Sequence, residues 1–126
     1  MTDPTPQPFQ LSRISNIMLG VRDLEQALAF YNGKLGLPVT MQLAQLALLN
    51  SGPVTLGLST GHTRMAPHVA GATEVVFQVE HVRAAYAALQ QQGITFINEP
   101  RQATPTDWVA HFRDPDGHLL SIFGPE

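Results

Sequence analysis

The strongest constraint on this chain is that it says the same thing twice. Residues 14–21 are apolar and β-prone. Asp23 follows, then Leu24, Leu28, Tyr31 and Leu35 at helical spacing. Asp23 reads as the helix N-cap, with Gln26 three residues on as in a capping box, and Gly36 reads as the stop. Three apolar runs come next, at residues 39–43, 46–49 and 54–58, parted by Asn50-Ser51-Gly52-Pro53 and weaker breaks. The order then repeats. Residues 74–79 read as a strand. Val82, Ala85, Tyr86 and Leu89 form an apolar helical stripe ending at Gly93. Residues 94–97 and 108–113 read as strands, Asp114-Pro115-Asp116-Gly117 as a turn, and residues 118–123 as the last strand.

Two βαβββ units predict an α+β fold: a cupped mixed sheet with one helix behind each half and a cavity between the concave faces. The expected organisation is a short tail at residues 1–12 and a single domain over residues 13–126. Within it, module one covers residues 13–60, a linker residues 61–72 and module two residues 73–126. The linker reading rests on Gly61, Pro67 and Gly71.

Composition narrows the function classes. The 126 residues carry a net charge of −3 with a single lysine, Lys34, and no basic run. A phosphate-tracking surface needs clustered Lys and Arg, so nucleic acid is not an expected partner. The absence of cysteine removes disulfides, thiolate metal sites and a cysteine nucleophile, and fits a cytoplasmic setting. No basic start followed by an apolar stretch marks a signal peptide, and no apolar run is long enough to span a bilayer, so no membrane partner is expected.

Two motif blocks carry a family resemblance. The first is Ile17-Met18-Leu19-Gly20-Val21-Arg22-Asp23-Leu24, then Ala29-Phe30-Tyr31 and Leu35-Gly36-Leu37. The second is Gly93-Ile94, Glu99-Pro100 and Phe112-Arg113-Asp114-Pro115-Asp116-Gly117-His118. Together, in order, they resemble the vicinal-oxygen-chelate superfamily of glyoxalases, bleomycin-resistance proteins and dioxygenases. The resemblance implies the cupped two-module fold and commonly a homodimer, sometimes with modules exchanged through the linker. It does not select an activity, because that fold carries isomerases, dioxygenases, thiol transferases and drug-binding proteins.

Metal-dependent members hold one divalent cation with His, Gln or Glu on four inner strands. Carried over by motif, the four positions fall at Asn16, Gly57, Glu74 and Ser121. Only Glu74 is a good ligand for such a cation. A register slip does not restore the set. Only even slips keep a side chain on the inner face, and residues 12–21 and 51–61 contain no His, Glu, Asp or Gln. No metal cofactor is therefore expected, with a divalent cation as the alternative.

Strand alternation assigns the rest of the cup. Asn16, Met18 and Gly20 face the cavity, as do Glu74, Val76 and Gln78, then Val109 and His111, and finally Leu119, Ser121 and Phe123. The expected ligand-binding set is thus Asn16, Met18, Gly57, Glu74, Val76, Gln78, Val109, His111, Leu119, Ser121 and Phe123. Glu74 and His111 are the two titratable groups able to meet, and the candidate acid–base pair. Against each stands a plainer reading, of a solvated carboxylate at the cup's mouth and a satisfied core histidine. His62 and His68 are expected on the linker surface. His81 takes the N-cap of the second helix, and His118, Asp114 and Asp116 serve the turn.

Two function classes follow, beside a third, an interaction or regulatory domain without chemistry whose cavity is small or filled. One is a metal-free protein that binds a small organic molecule. The other is an enzyme of the superfamily, a lactoylglutathione lyase-like isomerase or a dioxygenase relative, acting through a metal or through Glu74 and His111. The first is the expectation, because the ligand set is largely missing.

Overall fold

The computed structural model describes residues 13–62 and 73–126. The expected tail, most of the expected linker and His68 lie outside the described residues.

Each half builds one four-stranded sheet. In the first, β1 (Asn16–Gly20), β2 (Val39–Gln42), β3 (Leu46–Ser51) and β4 (Val54–Ser59) lie in the order β1-β4-β3-β2. In the second, β5 (Glu74–Gln78), β6 (Arg101–Gln102), β7 (Trp108–Arg113) and β8 (Leu119–Gly124) lie in the order β5-β8-β7-β6. In both, the strand before the helix runs parallel to the last strand of its unit, and the remaining pairs are antiparallel. The repeat in the sequence is a repeat of topology.

Helix α1 (Leu24–Leu28) starts where expected, because the Asp23 carboxylate accepts the Gln26 N–H at 3.1 Å. It does not continue as an α-helix. Residues Ala29–Lys34 form a π-helical turn, with Leu35 N–H reaching the Phe30 carbonyl at 3.0 Å. That wide turn lets two consecutive residues, Phe30 and Tyr31, both be buried. The second helix, α2 (Val82–Gln91), has His81 at its N-cap position, but the imidazole makes no capping bond.

The helix-side face of the first sheet is a dry core of Leu19, Ala47, Leu49, Leu56 and Leu58. The second sheet supplies Ala110, Phe112, Leu120 and Ile122 to the same cluster. The two motif blocks that carry the resemblance meet here. The Tyr31 hydroxyl donates to Asp114 Oδ2 at 2.7 Å. Arg22 grips the turn through its backbone N–H and Nε on Asp116 Oδ1, at 3.0 and 2.9 Å, and through Nη2 on the Pro115 carbonyl. His118 Nε2 lies 2.8 Å from the Gly20 carbonyl. Asp114 and Asp116 are thus turn formers and ties between the modules. His118 is more than a turn residue, since it is buried against β1.

Two expectations are corrected. Residues 94–97 are not a strand. Only Phe96 makes an isolated bridge, to Phe112, and the strand that pairs with β7 is β6. The ladder stops because Asn98 replaces it, its side-chain oxygen accepting the His111 N–H at 3.0 Å that a strand carbonyl would have taken. Pro100, which cannot donate, then bars a restart before β6. The second correction is His62, which is half-buried rather than a surface residue.

Candidate functional site

Strand register decides which side chains share the face away from the helices. In the first sheet Met18, Gly57, Leu48 and Met41 form one row, since Met18 pairs with Gly57, Gly57 with Leu48 and Leu48 with Met41. In the second sheet three rows follow. They are Arg101, Val109, Phe123 and Gln78; then His111, Ser121 and Val76; then Arg113, Leu119 and Glu74. The residues expected inside by alternation do share these faces. Leu48, Met41, Arg101 and Arg113 join them.

The polar centre lies on the second sheet. His111 Nε2 stands 3.1 Å from Glu74 Oε2. The two residues sit on strands that flank β8, so the contact crosses β8 beside Ser121. The other ring nitrogen, Nδ1, lies 2.9 Å from Asn98 Oδ1. Asn98 is fixed in that orientation, because the same oxygen accepts the His111 backbone N–H while Nδ2 donates to the Glu99 carbonyl at 2.8 Å. An acceptor therefore faces each ring nitrogen. Asn98 Oδ1 faces Nδ1, and the Glu74 carboxylate faces Nε2. The side chains of His111 and Glu74 are 19% and 32% exposed, so the pair is open to a molecule arriving from solvent.

Ser121, flanked by His111 and Val76, is fully buried, and its hydroxyl has no hydrogen-bond partner among the described residues. A buried hydroxyl without a partner is unusual and costly. The remainder of the second-sheet face is mainly apolar, with Val109 buried, Leu119 and Phe123 half-buried, and Val76 53% exposed. Gln78 is exposed at the β5 edge. Asn16 is exposed as well and donates to Ser15 Oγ. It does not approach the Glu74–His111 pair through any hydrogen bond shown.

The four positions that the resemblance assigns to a cation do not fit one. Gly57 has no side chain, and a Cβ built there would lie 2.2 Å from Met18 Sδ, so the methionine fills that space. Ser121 is buried, Asn16 is turned to Ser15, and Glu74 is engaged by His111. Among the described residues no three His, Asp or Glu side chains are grouped to hold a metal ion.

Asn98 is the site residue that the sequence reading missed. Its signal was the triplet Asn98-Glu99-Pro100, where a proline forbids a regular ladder opposite β7 and an asparagine is able to mimic one. Leu48 and Met41 were missed for a simpler reason, since alternation was not carried into β2 and β3.

A profile of the Glyoxalase/Bleomycin resistance protein/Dioxygenase superfamily matches residues 13–122. The chain belongs to this superfamily. It is 30% identical to the uncharacterized protein YraH of Bacillus subtilis (strain 168), over 88% of this chain and 97% of that protein. Among solved structures it superposes on TnmS3, an antibiotic binding protein from Streptomyces sp. CB03234. The TM-score is 0.76 at 23% identity, covering 94% of this chain and 99% of that one. It also superposes on a lactoylglutathione lyase from Agrobacterium tumefaciens, with a TM-score of 0.74 at 19% identity, covering 93% of this chain and 95% of that one. At these identities the two structures share the fold with this superfamily member and nothing more. Among the described residues no helix is long and apolar enough to cross a membrane.

Proposed function

We propose that this protein binds a small, mostly apolar organic molecule against the face of its second sheet that points away from the helices, without a divalent cation, and anchors it on Glu74 and His111. The observation that carries the reading is the partly exposed Asn98–His111–Glu74 array set among apolar side chains of the same face. A site of this kind combines apolar contact area with a few polar groups held in place. Asn98 holds the imidazole, and Glu74 offers an acceptor. Val76, Val109, Leu119 and Phe123 supply the apolar contact, with Met18, which covers Gly57, on the first sheet and Asn16 and Gln78 at the edges.

Fold neighbours include both an antibiotic binding protein and a lyase, so the fold does not choose between binding and catalysis. The substituted cation positions support binding. The experiment is a thermal-shift screen of neutral organic molecules followed by calorimetry. A hit should raise the melting temperature, since it binds only the native state. Binding should weaken in Glu74→Gln and in His111→Ala and persist in the presence of a chelator. Loss of binding on chelation would overturn the reading.

A second reading uses the same pair in catalysis. The imidazole and the carboxylate, 3.1 Å apart and partly exposed, are placed to pass a proton to and from a bound molecule. It predicts exchange of a ligand proton with deuterated water in the wild-type protein and none in Glu74→Gln.

We also infer that a second copy of the chain completes the site. The strands β1 and β5 are both sheet edges, and Val76 on the site face is largely exposed in the single chain. Light scattering coupled to gel filtration should report a dimer.

A further inference from the structure

The two helix layers are packed unequally. Around α1 and its π-helical extension, Leu24, Ala27, Phe30 and Tyr31 are buried. In α2, which is twice as long as α1, only Val82 is buried, and Ala85, Tyr86 and Leu89 are half-covered. A cleft of about 350 Å³ occupies the difference. Ala85, Ala88 and Leu89 of α2 border it on one side, and Phe77, Phe112 and Ile122 of the second sheet on the other. Leu35 and Leu37 close it from the first module, and Gln78 is the only polar residue on its border among the described residues.

This cleft is not the Glu74–His111 site. Phe77 stands between Val76 and Gln78 on β5, Phe112 follows His111 on β7, and Ile122 follows Ser121 on β8. Alternation therefore places the cleft on the opposite face of the same sheet. It adjoins a second hollow of about 560 Å³ at the seam between the modules, and the two share Leu37, Phe77 and Gln78.

We propose that the cleft under α2 is a second binding site, for a neutral aromatic molecule of about two fused rings. Size and chemistry both point that way. An apolar protein cavity of about 150 Å³ holds one benzene, so a cleft of about 350 Å³ matches a bicyclic compound. Phe77 and Phe112 offer rings for edge or offset contact. Among the described residues the border carries no charged side chain to reward an ionic ligand. An empty apolar cleft forgoes dispersion contacts on its lining, and an occupant restores them. The small side chains of Ala85 and Ala88 are what leave the room.

Indole is the probe, added to the full isotopically labelled chain and followed by amide NMR and calorimetry. The site predicts saturable shifts at Ala85, Ala88, Leu89 and Phe112. Ala85→Leu fills the cleft and should weaken indole roughly tenfold or more, the scale of one or two methylenes in an apolar pocket. Ala88→Leu makes the same test one turn on, should the first variant lose its dispersed spectrum. Glu74→Gln should leave indole binding unchanged. Three results would overturn the proposal. They are no saturable shift, shifts centred on Glu74, His111 and Phe123, and indole binding that falls as protein concentration rises. The last would mean that a second copy covers the cleft.

Discussion

The Tyr31 hydroxyl donates to Asp114 Oδ2 at 2.7 Å across 83 residues of sequence, joining the first helical segment to the last turn. The other Asp114 oxygen accepts the backbone N–H groups of Asp116 and His118 at 2.9 and 2.8 Å. One carboxylate thus shapes the turn and ties the modules. Removing the hydroxyl leaves a buried carboxylate oxygen without its donor. Tyr31→Phe should cost about 1.5–3 kcal/mol, the scale of a hydrogen bond to a charged group. Urea unfolding measures it, and a loss below about 0.5 kcal/mol, the size of an ordinary surface change, would show that the tie is not structural.

The same hydroxyl predicts an alkaline limit. Burial, reinforced by the neighbouring Asp114 carboxylate, pushes Tyr31 well above the usual tyrosine range. In the unfolded chain it ionises near its ordinary value of about 10. The folded value is the higher one, so the folded state binds the extra proton. The stabilisation is complete below about pH 10 and is lost as pH rises beyond it. Wild-type stability should therefore fall more steeply above that pH than the stability of Tyr31→Phe. Equal slopes in a pH series of unfolding curves would contradict this.

Two glycines should respond differently to a methyl group. At Gly124, φ is +155° and a new Cβ would stand 2.2 Å from the Val79 backbone carbonyl oxygen. Backbone is unable to yield cheaply, so Gly124→Ala should cost more than about 2 kcal/mol. At Gly57 the obstacle is the tip of Met18, which is able to swing aside. Gly57→Ala should cost less, by at least about 1 kcal/mol on the same scale, in thermal or urea unfolding. The reverse order would mean that Met18 is locked in place.

Asn98 sets the histidine. Asn98→Ala removes the acceptor from Nδ1 and from the His111 backbone N–H, whereas Asn98→Asp keeps an oxygen there. Nitrogen-15 NMR of the imidazole should show a proton on Nδ1 in the wild type and in Asn98→Asp, and a mixed or Nε2 tautomer in Asn98→Ala. Affinity for a screened ligand should follow the same order. An unchanged ring spectrum in Asn98→Ala would remove Asn98 from the site.

Much of this was legible in the sequence, and the reasons are physical. Strands and faces followed from a period of two, so Met18, Glu74, His111 and Ser121 were placed on their faces without coordinates. The helix start at Asp23 followed from its capping chemistry. What escaped was structure in which one side chain stands in for backbone. Asn98 replaces a ladder carbonyl, so residues 94–97 read as a strand that does not form. The π-helical turn escaped too, because Phe30 and Tyr31 fit an α-helical stripe as well as a wider one. That Met18 fills the space over Gly57 needed the coordinates, since alternation sets a direction but not a reach.

The most direct test of the central reading is a crystal structure of the protein with a screened organic ligand, paired with elemental analysis of the same sample. The account predicts less than about one-tenth of an equivalent of Fe, Mn, Ni or Zn, as expected for a site with one good ligand. It also predicts ligand density on the face of the second sheet that points away from the helices, with polar atoms within reach of Glu74 and His111. Stoichiometric metal bound at Glu74, or a ligand that touches neither of these residues, would contradict it.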